Sequence, residues 1–438
     1  MYRNRSRRLM LHLAIVISIL LLVACGGEAA EPTSPAQAAA ETPTAATTDA
    51  TPSGPPTGSP AGDETAEEES AEQGEPYRIG AVLSITGGAA TLGAPERDAL
   101  QLLQDQVNEQ GGILGPDGLR HPVEVIIYDD QSDESQAVLA VTRLIESDQV
   151  PAIICCSQSG TSLAAVDVVT RNEVPMISLA SSETITQPVE ERYWAFKPAW
   201  DNLQVSERLM LYFQREGITR IGLLSVSTEY GDSGRNALHE LADDYGVSIV
   251  VDERFNPGTT DVTTHLNRVR TSDAEAVVVY ALVPESVVAM KNYRDLGMDI
   301  PIVFTNSVAT PAFIEAAGPL AEGAIVPAGK IIVYDTLPDS DHQKEVLEQF
   351  AVEYQERYGE PPNTFAGHAW DAFWLYVRAF EKHGPDPAAI RDEIEQTSDF
   401  VGITGVLTFS PERHTGFQTE DMVMVVVQDG RFVALAEE

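Results

Sequence analysis

From residue 77 to about 305, short apolar runs alternate with longer stretches in which apolar residues recur at helical spacing. The runs at 77–84, 123–128, 152–155, 174–179, 220–225, 248–254, 276–280 and 302–305 are predicted strands. Several have no polar alternation, as expected for strands covered on both faces of a parallel sheet. The intervening stretches at 95–110, 135–147, 161–172, 202–216, 233–245, 262–271 and 285–296 are predicted helices. In 135–147, for example, Ala137, Val138, Val141, Leu144 and Ile145 fall on one face. Strands alternating with helices of this length imply parallel sheets with right-handed crossovers. After residue 332 the pattern changes to helices at 341–358, 364–383 and 387–397, then closing strands at 406–409, 422–427 and 432–435. The expected fold class is α/β, with two Rossmann-like lobes, parallel sheets and a cleft between them.

The stretch 153–182 organises this pattern. It reads as strand, loop, helix, strand, loop, and both strands end in hydroxyl-rich loops: Ser157-Gln158-Ser159-Gly160 and Ala180-Ser181-Ser182. In open α/β sheets ligands lie outside the carboxyl ends of the strands, and a helix N-terminus there favours an anion. The serines also read as helix caps and turn residues. Two such loops at one sheet edge point to a small-molecule site.

Ahead of the folded part, Arg3, Arg5, Arg7 and Arg8 precede an apolar run ending in Leu22-Val23-Ala24-Cys25. This is the layout of a secretory signal peptide over 1–24, short for a membrane span, with a plain transmembrane anchor as the alternative. Its end resembles a bacterial lipobox, which makes Cys25 the expected lipidated N-terminus and anchors the protein on the outside of a membrane. Residues 25–76 are almost all Ala, Thr, Pro, Ser, Gly and acidic residues, and are expected to form a disordered acidic linker.

The net charge of −39 argues against nucleic acid or an anionic lipid surface as a partner. Apart from Cys25, only the adjacent Cys155 and Cys156 remain, either as free buried thiols or as a vicinal disulfide. The eight histidines show no metal-ligand spacing. Neither a G-x-S-x-G elbow nor a Gly-Lys-Ser/Thr phosphate loop occurs, and the glycines at 80–93 do not fit G-x-G-x-x-G. A binder without cofactor or metal, rather than an enzyme, is the expectation.

The run at 79–115 resembles the opening of type I periplasmic binding proteins of the branched-chain amino acid class. It carries Thr86-Gly87, Asn108 and Gly111-Gly112-Ile113-Leu114-Gly115. Pro175-Met176-Ile177-Ser178, a Tyr230-Gly231 loop and Trp370-Asp371-Ala372 fit the same ordered set. The resemblance implies three crossings between lobes, near 197–201, 327–330 and 408–410. Lobe one is then 77–200 plus 330–408, and lobe two 201–329 plus 409–438. By position it implies a ligand carboxylate held by Ser159 and Ser182, beside Gly160 and the backbone of Ala180 and Ser181, with Tyr230 and Leu92 as pocket walls. Where leucine-type binders place an acid for the ligand ammonium, this chain has Asn306, read either as a changed specificity or as a turn residue outside the pocket. Glu285, Glu229 and Asp201 are the candidate substitutes. The resemblance implies a monomeric, lipid-anchored importer component handing an amino acid, or a related carboxylate or amide, to an ABC transporter permease. A ligand sensor acting through a separate membrane partner is the alternative.

Overall fold

The computed structural model describes residues 73–436; the expected signal peptide and Cys25 lie outside them. Strands β1 (Tyr77–Leu83), β2 (Val123–Asp129), β3 (Ile153–Cys155), β4 (Met176–Ile177) and β5 (Ala195–Phe196) form a parallel sheet in the order β2-β1-β3-β4-β5. A second sheet is built from β6 (Arg220–Val226), β7 (Ser248–Phe255), β8 (Ala276–Tyr280), β9 (Ile302–Phe304), β10 (Ile325–Gly329), β11 (Met422–Gln428) and β12 (Arg431–Ala434). Its order is β12-β11-β10-β9-β8-β6-β7, with only β11 and β12 antiparallel to their neighbours. Both faces of each sheet are covered, which is why the strands read as continuous apolar runs.

Helices α1 (Ala90–Glu109), α2 (Glu134–Glu146) and α3 (Ser159–Asn172) connect the first strands, and α4 (Asn202–Glu216) leads to the second sheet. There α5 (Glu229–Ala242), α6 (Thr263–Arg270), α7 (Val283–Asp295) and α8 (Pro311–Ala317) follow. The later α9 (Lys344–Tyr358), α10 (Thr364–His383) and α11 (Pro387–Glu395) return to the first sheet, where Leu347, Phe350, Phe373 and Ile390 share a core with Ile79 and Leu103. Asn108 at the end of α1 exchanges hydrogen bonds with the backbone of Val123, 2.9 Å and 2.8 Å long, and so fixes the helix to the start of β2.

Three departures from the sequence reading have local causes. Helix α1 starts at Ala90 rather than Pro95, because Gly93 lets its first turn press on β1: a Cβ there would lie 2.3 Å from the Ser84 carbonyl. Strand β10 was not expected, since the resemblance places a crossing between lobes at 327–330; its Pro327 pairs in the antiparallel register with Met424. After the crossing expected near 408–410, the chain enters the second sheet only at Met422, following the 3-10 turn Thr419–Asp421. Residues ahead of that turn still line the first sheet: Lys197 N–H donates to His414 O at 2.9 Å, Gly416 N–H to Lys197 O at 3.1 Å, and Phe409 packs edge-on against Phe196. Cys155 and Cys156 are buried and joined as a vicinal disulfide, the second of the two alternatives.

Candidate functional site

Loops at the carboxyl ends of both sheets enclose a cavity of about 370 Å³. On the first sheet's side lies the start of α3. Its cap residue, Gln158, makes no capping bond and instead donates Nε2–H to Ser84 Oγ at 3.2 Å. The first-turn N–H groups of Ser159, Gly160 and Thr161 thus stand at the cavity wall without a side-chain cap. Glu134, at the start of α2, stands beside them. Its Oε1 is 2.5 Å from where a Cβ on Gly160 would sit, so a larger residue there would displace the carboxylate. The carboxylate offsets part of the positive helix end.

Ser159 Oγ accepts a hydrogen bond from Ser182 N–H at 3.2 Å, joining the two hydroxyl loops. In the second loop Ala180 N–H is taken by Ser178 Oγ at 3.2 Å, while Ser181 N–H has no protein acceptor among the described residues. Ser159, Gly160, Ala180 and Ser181 line the cavity, and so does Leu92 from the first turn of α1. Ser182 does not. Its buried hydroxyl donates to Glu229 Oε1 at 2.9 Å and lies 2.8 Å from Thr184 Oγ1. Direct contact with a ligand was expected. The residue instead leads into the 3-10 turn Glu183–Ile185 and bonds α5 across the interface between the two halves. Thr184 Oγ1 donates to the same Glu229 oxygen at 3.0 Å, and Ser233 Oγ to Glu183 Oε2 at 2.6 Å.

On the opposite side, Thr228 Oγ1 accepts from Gly231 N–H at 3.4 Å and caps α5. Glu229 and Tyr230 are therefore first-turn helix residues, not loop residues. The Tyr230 hydroxyl lies 2.7 Å from Thr305 Oγ1 and donates to Asn306 Oδ1 at 3.5 Å. Burial pushes the phenol up to about 12, so it is neutral at physiological pH. Asn306 is 2% exposed, lines the cavity, and its Nδ2 has no protein acceptor among the described residues. Of the three acids considered as substitutes for the acid replaced by Asn306, Glu229 and Glu285 line the cavity, whereas Asp201 caps α4 through a capping box. Sequence reasoning missed Glu134 and Phe365, which also line it. Each sits in the first turn of a helix remote in sequence, and no local pattern marks it.

Two buried titratable groups stand behind the wall. Lys197, in the first passage between sheets, donates Nζ–H to Ser182 O at 3.0 Å. Burial lowers its ammonium to about 8, opposed by Asp201 and Glu183. The Ser157 hydroxyl donates to Glu96, whose carboxyl is raised well above the usual range by burial, against that hydrogen bond, with Asp130 adding to the rise. Among the described residues, no histidine, lysine, arginine or cysteine lines the cavity. The wall offers neutral donors with the Glu134 carboxylate on one side, and Tyr230, Asn306 and the carboxylates of Glu229 and Glu285 on the other.

A family model described as a periplasmic binding protein matches residues 76–431. The chain belongs to that family. Among its relatives is a Pseudomonas aeruginosa binding protein for leucine, isoleucine, valine, threonine and alanine, 23% identical over 328 residues, 74% of this chain and 83% of that one. A Brucella suis Leu/Ile/Val-binding protein homologue is 22% identical over 82% of this chain and 90% of its own length. Among solved structures, an extracellular ligand-binding receptor from Rhodopseudomonas palustris superposes with a TM-score of 0.76 at 25% identity, covering 82% of this chain and 99% of that one. The Streptococcus pneumoniae branched-chain amino acid transporter substrate-binding protein, solved with isoleucine, gives 0.72 at 25% identity over 82% and 98%. This periplasmic binding protein is thus of type I, with relatives in the Leu/Ile/Val-binding class.

Proposed function

We propose that this periplasmic binding protein takes up an amino acid, or a related small carboxylate or amide, between two lobes and delivers it to the permease of an ABC importer. The observation that carries the reading is the cavity itself, lined by loops at the carboxyl ends of both sheets. In this reading Ser159, Gly160, Ala180 and Ser181 hold an oxygen of the solute through hydroxyl and amide donors. Tyr230, Asn306 and Leu92 form the walls, and Ser182 acts as an interlobe clasp. Glu285, with Glu229, takes the place of the acid that Asn306 replaces, as partner to an ammonium. Neutral donors hold a carboxylate or carbonyl without a buried counter-charge.

Lobe one comprises 77–200 and 330–417, and lobe two 201–329 and 422–436, with hinges at 197–201, 327–330 and 418–421. Hinge bending at three thin passages would open and close the cavity. The protein acts as a monomer, exported and held at the membrane by lipid on Cys25.

A thermal-shift screen of the purified protein against amino acids, their amides, urea and short aliphatic or aromatic acids tests the proposal. A ligand that binds only the folded state raises the melting point by mass action. A shift with an amino acid or amide supports the reading, and no shift with any compound counts against it.

A further inference from the structure

We infer that the solute is a small organic cation that also carries a carbonyl oxygen, of the kind represented by an amino-acid amide, rather than a zwitterionic amino acid. The inference rests on the solute-binding reading of this cavity and narrows it by charge.

Three carboxylates line the cavity: Glu134 beside the start of α3, and Glu229 and Glu285 on the opposite side. Among the described residues, no cationic side chain lines it. The two positive features nearby are already offset. Glu134 approaches the N-terminal turn of α3 at Gly160, and the Lys197 ammonium, behind the Ser182 carbonyl, faces Asp201 and Glu183. Glu229 accepts only from neutral hydroxyls, those of Ser182 and Thr184. Glu285 accepts from Gly258 N–H at 2.9 Å. Among the described residues neither has a cationic partner.

A zwitterion would bring its own carboxylate into this field, and like charges at close range disfavour binding. An uncharged amide removes that repulsion and keeps a carbonyl oxygen for the free N–H groups at Ser159, Gly160 and Ser181. Asn306 supplies an independent pointer: its side chain is nine-tenths buried or more, it lines the cavity, and its Nδ2 has no protein acceptor among the described residues. Asn306 therefore donates to a carbonyl, and the ammonium is left to Glu285 and Glu229. Leu92, Leu282 and Phe365 give the solute's aliphatic part an apolar wall.

The test compares leucinamide with leucine by isothermal titration of the full-length protein at pH 6.5, where an α-amino group with a pKa of about 7.7–8.0 is protonated. The two probes share size and side chain and differ in one charge. Leucinamide is expected to bind at least about tenfold tighter, the factor that one charged hydrogen-bonded contact commands. Glu285→Gln, a partly exposed position, is expected to shrink the leucinamide-to-leucine ratio by about tenfold. Leucine binding as well as leucinamide, or better, would overturn the inference and leave the solute-binding site standing. Failure of both probes, and of every free amino acid, would overturn the inference together with the reading it rests on.

Discussion

Removing the Ser182 hydroxyl separates a clasp from a ligand contact. The group does not line the cavity; it donates to Glu229 Oε1 at 2.9 Å from the other half of the molecule. A hydrogen bond to a charged acceptor contributes about 1.5–3 kcal/mol when buried. Here the acceptor is half-buried and keeps a second donor in Thr184, which reduces the loss to about 1 kcal/mol, or roughly fivefold in affinity. The Ser182 N–H to Ser159 survives the change, so the cradle stays in place. The loss should appear in isothermal titration of Ser182→Ala with the best solute from the thermal screen. In a Glu229→Ala background, where the clasp is already open, Ser182→Ala should then alter affinity by less than about twofold, since coupled residues are not additive. A fivefold or larger effect that persists in that background would mean that Ser182 touches the solute, and the clasp would be refuted.

Ser159→Ala removes a hydroxyl from the cavity wall and the acceptor for Ser182 N–H, and should weaken solute binding by roughly 1–3 kcal/mol in the same titration. Unchanged affinity would remove the proposed cradle. Asp371 is fully buried beneath the N–H groups of Ile403 and Thr404, and burial raises its carboxyl to about 7 from an ordinary 3.8. Between those values the folded state keeps a proton that the unfolded chain releases, so stability should fall as pH rises from about 4 to 7, by up to about 1.4 kcal/mol per unit from this group. Urea unfolding at pH 5 and 8 checks this: Asp371→Asn should show a smaller difference than the wild type, and an equal difference would refute the assignment. Cys25→Ser should release the protein from membranes with solute affinity unchanged; retention in the membrane fraction would contradict the lipid anchor.

The alternation of apolar runs and helical spacing made the α/β class and most strands readable, because burial on both faces writes itself into the residues of each strand. Bounds failed where one long-range contact decided them. The start of α1 depends on Gly93 meeting Ser84, and that of α5 on Thr228 capping a run, Glu229-Tyr230-Gly231-Asp232, that looks like a loop. Strand β10 was hidden because the resemblance places a crossing between lobes at 327–330. At the candidate site, the loops holding Ser159, Gly160, Ala180 and Ser181 were readable from strand-end position, whereas Tyr230, Asn306 and Leu92 came from the family resemblance; all seven line the cavity. Ser182 was not separable from its neighbours, because its partner Glu229 lies 47 residues away and in the other half. Glu134 carried no signal for the same reason: its proximity to Gly160 arises from the packing of α2 on α3.

Hydrogen–deuterium exchange on the full-length protein, with and without a saturating solute from the screen, tests the central claim most directly. Solute bound between the lobes should slow exchange in peptides from both halves together, around 157–161 and 180–182 on one side and 227–230 and 305–307 on the other. Protection confined to one half, or appearing only at a surface away from both sets of loops, would contradict a solute held between the two sheets.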